Sequence, residues 1–278
     1  MGPAYCQNQL RPMEMLLLTQ LEAKAQLLDL CCGTGHLVQR LRQKGYAVTG
    51  LDGSESMLYY ARQNAPDALF VLADARSFDL ASFDVSYSFD AVYCMSASLN
   101  HMMSLDELAS VFGNVHGVLK ENGLFLFDLN HPTQMQKWWR GRVVEGEINP
   151  TDAWLLTPVY NAIHHTGYFQ VVMFQAPAKA KGILQPCKNL IYRLLSLRLL
   201  TRLRLKVLSQ FQRWQPHWQS SEVRYPVRGH AEAEVRSTLQ AAGFTDIAVC
   251  TIDGHATVDD NHSAYFLCRK SSHFGGAT

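Results

Sequence analysis

The first 130 residues repeat one device. A short apolar run, closed by an acid or a glycine, is followed by a stretch with helical periodicity. Gln26-Leu27-Leu28-Asp29-Leu30-Cys31 is the first such run, and 46–52, Leu69–Ala73, Phe89–Met95 and Leu124–Leu129 follow it. Runs without polar alternation are strands buried on both faces, as in a parallel sheet covered by helices. Helices are predicted at 36–44, ended by Gly45, at Ser56–Asn64 behind a cap at Ser54, and at 105–119. A further helix is predicted upstream, over 9–23, from the spacing of Leu10, Met13, Leu16, Leu17 and Leu21. This strand–helix rhythm predicts an α/β, doubly wound, mostly parallel sheet.

The rhythm stops near residue 130 and returns with a helix over 231–242, ended by Gly243, and strands at Thr245–Ile252 and Ser263–Arg269. The intervening segment differs in kind. Residues 142–176 alternate polar and apolar, which predicts antiparallel strands, with His164-His165 on one of them. Residues 179–221 contain nine Lys or Arg and no Asp or Glu around a Leu-rich centre. Two readings stand for Leu190–Phe211: a helical insertion packed on its own domain, or a basic face against a membrane surface or anionic substrate. Arg202–Val207 also alternates like a strand. The expected organisation is residues 1–130 and 229–278 as one domain and 131–228 as an inserted lid of antiparallel strands and helices. The tail, 271–278, is small and polar and is expected to be loose.

The chemistry concentrates at strand ends. Asp29-Leu30-Cys31-Cys32-Gly33-Thr34-Gly35 lies where the first strand meets the first helix, and its glycines let backbone approach a ligand beside free helix N–H groups. Asp52 ends the second strand, where a carboxylate accepts ribose hydroxyls. Asp74 ends the third and reads either as an acceptor for adenine amino hydrogens or as a helix cap. A dinucleotide turn needs a third glycine where Val38 stands. S-adenosylmethionine (SAM) has no phosphate and carries an amino-acid tail, which suits Asp29 beside an open loop.

These residues resemble the class I SAM-dependent methyltransferases, particularly their small-molecule branch. Leu28–Gly35 resembles motif I of that family, and Leu51-Asp52-Gly53-Ser54-Glu55-Ser56-Met57-Leu58 its D-x-S-x-x-M-L stretch. Phe89–Cys94 resembles its fourth strand, Leu119–Asp128 its L-K-P-G-G-x-x-x-x-D, and Ala241-Ala242-Gly243-Phe244 its A-G-F. Glu121-Asn122 replaces the usual Pro-Gly. The likeness covers about 1–130 and 222–270 and implies a Rossmann-like seven-stranded sheet. It implies Asp29, Gly33 and Gly35 at the methionine part of SAM, Asp52 at ribose, Met57 against adenine and Asp74 at its amino group. Cys31, Ala75 and Met95 complete the expected cofactor-binding set. The tyrosine-bearing cover that relatives carry upstream is reduced here to Tyr5.

The expected activity is methyl transfer to N or O of a small molecule. His101 and Asn100, in the loop after the fourth strand, are the candidate catalytic residues, against a reading in which they only make local turns. Trp154, Tyr160 and Phe174 are expected to line the acceptor pocket. Two other functions compete: a SAM-binding assembly factor without catalysis, and a membrane-surface methyltransferase acting on a lipid, quinone or pigment through 179–214. Nucleic acid is not an expected partner, because the net charge is only +1 and the basic residues are confined to one insertion. Seven cysteines without CxxC spacing read as reduced thiols, not a disulfide framework or zinc site. No signal-peptide layout opens the chain, so a cytoplasmic location is expected. No metal site is predicted, and no oligomeric state follows from these features.

Overall fold

The computed structural model describes residues 3–79, 88–177 and 185–271. Residues 179–184 of the basic segment and the tail from 272 onward lie outside them. The chain forms two compact units, Met1–Gln134 with Gly229–Thr278, and Met135–Arg228.

The first unit is a seven-stranded sheet. Its strands are β1 (Gln26–Leu30), β2 (Ala47–Asp52), β3 (Leu69–Leu72), β4 (Phe89–Cys94), β5 (Leu119–Leu129), and two later ones, β10 (Phe244–Cys250) and β11 (Ala264–Lys270). They lie in the order β3-β2-β1-β4-β5-β11-β10. The first five pair in parallel, and β11 runs antiparallel to both β5 and β10. Chain order reverses between β1 and β4, the position where open α/β sheets bind ligands.

Alternate residues of each central strand feed different cores. Leu28, Leu30, Leu51, Val92, Phe125 and Phe127 pack on one face, with Leu108, Val111, Phe112 and Val115 of α4 (Leu105–Val118) and Val235 and Leu239 of α9 (Glu232–Ala241). Leu27, Val48, Ala91, Tyr93 and Leu126 pack on the other. They meet Met13 of α1 (Pro3–Leu16), Leu37, Val38 and Leu41 of α2 (His36–Gln43), and Leu58 and Ala61 of α3 (Glu55–Asn64). Each fully buried Leu or Phe contributes roughly 1.5–3 kcal/mol relative to exposure. That is why these runs carry no polar alternation.

Two expectations in this unit need correction. The upstream helix runs over Pro3–Leu16 and gives way to a 3-10 turn at Leu18–Gln20, so it starts and ends earlier than the 9–23 read from periodicity. Apolar spacing marks the buried stripe and is blind to the polar turns before it. β5 begins at Leu119, not Leu124, because Asn122 takes a left-handed φ of 63° and the strand carries an irregularity instead of a turn.

The second unit is entered through α5 (Pro132–Trp138) and contains an antiparallel sheet ordered β6 (Glu145–Ile148), β7 (Asp152–Asn161), β8 (Thr166–Gln175), β9 (Gln219–Arg228). β9 is a strand that the sequence expectation lacks. It is an edge strand that tolerates Pro226 and is exposed along most of its length, so no alternation marks it in the sequence. His164 and His165 stand in the β7–β8 turn, not on a strand, and His165 takes a φ of 52°. Arg202–Val207 is helical, not extended. It lies in α7 (Thr201–Leu208), which follows α6 (Gln185–Leu195) and precedes the single turn α8 (Phe211–Trp214). Tyr192, Leu195, Leu208 and Phe211 of these helices pack on Ile148, Ala153, Leu155 and Phe174 of the sheet. Among the described residues no helix is long and apolar enough to cross a membrane.

Candidate cofactor and methyl-transfer site

Asp29 is 3% exposed near the carboxyl end of β1, between Gly50 and Tyr93 on the flanking strands. Its Oδ2 is buried without a hydrogen-bond partner. Burial pushes its carboxyl well above the usual range, the neighbouring Tyr93 hydroxyl opposes that shift, and the Asp52 carboxylate adds to it. A buried acceptor with a free lone pair has an unmet demand for a donor or cation.

Beyond Asp29 the backbone passes through three left-handed residues, Cys31 (φ 63°), Gly33 (54°) and Gly35 (71°). Gly35 must be glycine for space as well as conformation: a Cβ would lie 2.9 Å from the Ala61 Cβ and 3.1 Å from Phe70. Gly33 faces open space, with no atom within 4 Å of an added Cβ. Asp52 fastens this loop. Its Oδ2 accepts from the Gly33 N–H at 2.8 Å and its Oδ1 from the Ser54 N–H at 2.9 Å. Each oxygen keeps a second lone pair. Asn64 braces the loop from α3, donating to the Thr34 carbonyl at 2.8 Å. The Cys94 thiol of β4 is hydrogen-bonded to Cys31, and that bond, with burial, raises its pKa.

Met57 lies in the first turn of α3, nearly half exposed, and Ser54 caps that helix by accepting from the Met57 N–H. Past β3, Asp74 is already engaged. The Arg76 guanidinium reaches both its oxygens, at 2.6 Å from Nη2 to Oδ2 and 3.0 Å from Nε to Oδ1. These bonds hold the Asp74 carboxyl below its ordinary pKa. Arg76 also bridges to Glu107 of α4 at 2.5 Å. Asp74 also accepts from the Arg76 backbone N–H at 2.9 Å, so it caps the turn that follows β3 and ends a carboxylate–guanidinium–carboxylate chain. Ala75 is buried, and its carbonyl accepts from Asn114.

The loop after β4 is shaped by a residue absent from the expected site set. Asp128, buried near the end of β5, accepts from the Ala97 N–H at 3.1 Å, and the Ser96 N–H also bonds to it. Ser96 and Ala97 are both left-handed, at φ 72° and 55°, so this carboxylate holds a strained pair in place. Burial raises its pKa to about 6 against these backbone bonds. Its signal was present in the sequence, an acid at the end of another parallel strand. Met95 is buried, and its carbonyl accepts from Ser98.

Asn100 is fully buried and its amide is committed. Nδ2 donates to the Asn130 carbonyl and Oδ1 accepts from the Asn130 N–H. These bonds tie the turn after β4 to the residue that follows β5. His101 ends the same 3-10 turn, Ser98–His101, and is exposed.

In the second unit the three expected pocket aromatics do not share a surface. Phe174 stands opposite Ala153, in the core covered by helices, its ring 4.8 Å from that of Phe211. Trp154 and Tyr160 point from the other face of β7, because strand side chains alternate. Tyr160 there packs beside Met135, Trp139, Val227 and Phe169. The apolar content of β8 gave no sign of which aromatic faced inward.

Comparison with known proteins matches residues 27–123 to the family described as "Methyltransferase domain". A Bacillus subtilis protein named as the methyltransferase YqeM is 40% identical over 113 residues, 40% of this chain and 44% of that protein. A glycine/sarcosine N-methyltransferase of Parasynechococcus marenigrum is 31% identical over 37% of this chain and 36% of its own length. The chain thus aligns with less than half the length of these relatives. Among solved structures, a SAM-dependent methyltransferase from Clostridium acetobutylicum superposes with a TM-score of 0.68 at 15% identity, over 96% of this chain and 92% of that one. Streptomyces venezuelae DesVI gives 0.66 at 18% identity, over 98% and 93%. At these identities the superpositions speak for the fold.

Proposed function

We propose that this chain, which belongs to the class I SAM-dependent methyltransferases, transfers a methyl group to nitrogen or oxygen of a small molecule. The observation that carries the reading is the buried Asp29 Oδ2, unpartnered beside a left-handed loop whose Gly33 faces open space. That pairing fits a ligand bearing an ammonium group, as the amino-acid tail of SAM does. Asp52 would accept from the ribose hydroxyls with its remaining lone pairs, Met57 would pack on adenine, and Asp74 would accept from the adenine amino group beside Arg76. When bound, SAM supplies an activated methyl on a sulfonium, so the protein's task is to orient the acceptor and exclude water.

His101 is the general base in this reading, as the proton-accepting side chain of the exposed turn after β4. Asn100 and Asp128 position its loop. Amino-sugar and glycine N-methyltransferases among the relatives favour an amine acceptor.

The test is calorimetry with SAM, followed by turnover with methyl-labelled SAM and panels of amino sugars, amino acids and hydroxylated metabolites. Asp52→Ala should weaken SAM binding by about 1.5–3 kcal/mol, the contribution of a hydrogen bond to a charged group. Unchanged affinity in the folded variant would refute the site. His101→Ala should leave SAM affinity near normal and lower turnover on the order of 100-fold on a hydroxyl acceptor. Full turnover there would remove it from the mechanism.

A further inference from the structure

We propose that the outer face of the α6–α7 segment is a docking surface for an anionic lipid bilayer. α6 carries apolar residues on two opposite sides. Tyr192 and Leu195 are buried in the core of the second unit. Leu190 and Leu194, at helical spacing about half a turn away, are each roughly half exposed, as are Ile191 beside them and Leu197 just past the helix end. The exposure continues past the helix, where Leu199 is 94% exposed and Leu203 and Trp214 are more than half uncovered or close to it. Scattered exposed leucines are ordinary on a protein surface, whereas six large exposed aliphatic side chains within fourteen residues concentrate apolar surface in one segment.

Charge decides what covers this strip. No acid occurs between 179 and 221, against nine Lys or Arg, while the whole chain nets only +1. Arg193, Arg202, Lys206 and Arg213 are exposed along the same segment. Arg204 serves a different purpose, donating to the Leu195 and Ser196 carbonyls that end α6. A second copy of this face would bring like charges together. A neutral apolar ligand would leave the cations without function. An anionic bilayer satisfies both features, since leucines enter the acyl boundary while Arg and Lys stems reach the headgroups. With 11 and 8 residues, α6 and α7 are too short to span and would lie in the interface.

The experiment is flotation of the full chain with vesicles of phosphatidylcholine alone and of phosphatidylcholine with phosphatidylglycerol in equal parts, at low and high salt. Recovery is expected on the anionic vesicles only and should fall at high salt. The triple variant Arg193→Gln/Arg202→Gln/Lys206→Gln should partition on the order of 100-fold more weakly. Leu194→Gln/Leu199→Gln should lose at least about tenfold. Both sets are exposed, so an unchanged thermal midpoint checks the fold. The proposal fails if anionic vesicles do not recover the chain, if neutral vesicles recover it equally, or if both variants float like the parent. It fails too if the leucine variant converts a dimer to a monomer on size exclusion without any vesicle binding in the parent.

Discussion

Leucine meets two fates in this molecule. Leu27, Leu28 and Leu30 of β1 have no exposed surface, whereas Leu190, Leu194, Leu197 and Leu203 of the second unit leave about half of theirs in water. The residue type is the same, so composition does not account for the difference. A central strand of the first unit is covered by a helical layer on each side, and both of its faces enter a core. A helix of the second unit lies on one side of one sheet and has a single face to bury. Polarity inside follows the same division. Gln9, Asp29, Asn100, Asp128, His230 and Thr251, the buried polar residues among those described, all belong to the first unit.

The largest test of this contrast is a pair of truncations. Leu28→Ala should cost about 3–5 kcal/mol through lost burial and a cavity. Leu194→Ala should stay within about 0.5 kcal/mol, as surface changes do. Chemical denaturation of both variants measures this, and similar losses would break the comparison.

Glycines give a second pair. Gly35→Ala combines a left-handed backbone with a 2.9 Å contact to the Ala61 Cβ and should cost about 2–4 kcal/mol. Gly141 of the second unit is also left-handed, but an added Cβ would meet nothing closer than 3.9 Å. Gly141→Ala should therefore cost only the backbone part, about 1–2 kcal/mol. Equal costs would mean that the first unit is not packed to closer tolerance around its loop.

The third test uses pH. Asp128 holds its proton to about pH 6 in the folded chain, against 3.8 as the ordinary value. Between those values the folded state binds a proton that the unfolded state has released, so stability falls as pH rises through the window. The full effect is roughly 3 kcal/mol. Asp29 acts in the same direction. Asp128→Asn keeps an oxygen acceptor for the Ala97 N–H and removes the ionisation. It should flatten the decline between about pH 4 and pH 6, measured as unfolding free energy against pH. An unchanged slope would assign the decline to Asp29 or to the second unit.

The sequence alone determined the order of strands and helices in the first unit, the Ser54 cap, and the placement of Asp29, Asp52 and Asp74 at strand ends. Those features rest on periodicity and on residues adjacent in the chain, so they can be read locally. Tertiary structure decided the rest. Asp52 binds the Gly33 N–H nineteen residues away, Asn100 locks onto Asn130 across thirty, and Asp128 holds Ala97 across thirty-one. The same holds for the inward face of Phe174, the pairing of β9, and the outward face of α6. Each depends on which surface another element covers, and a residue's own neighbours carry no record of that.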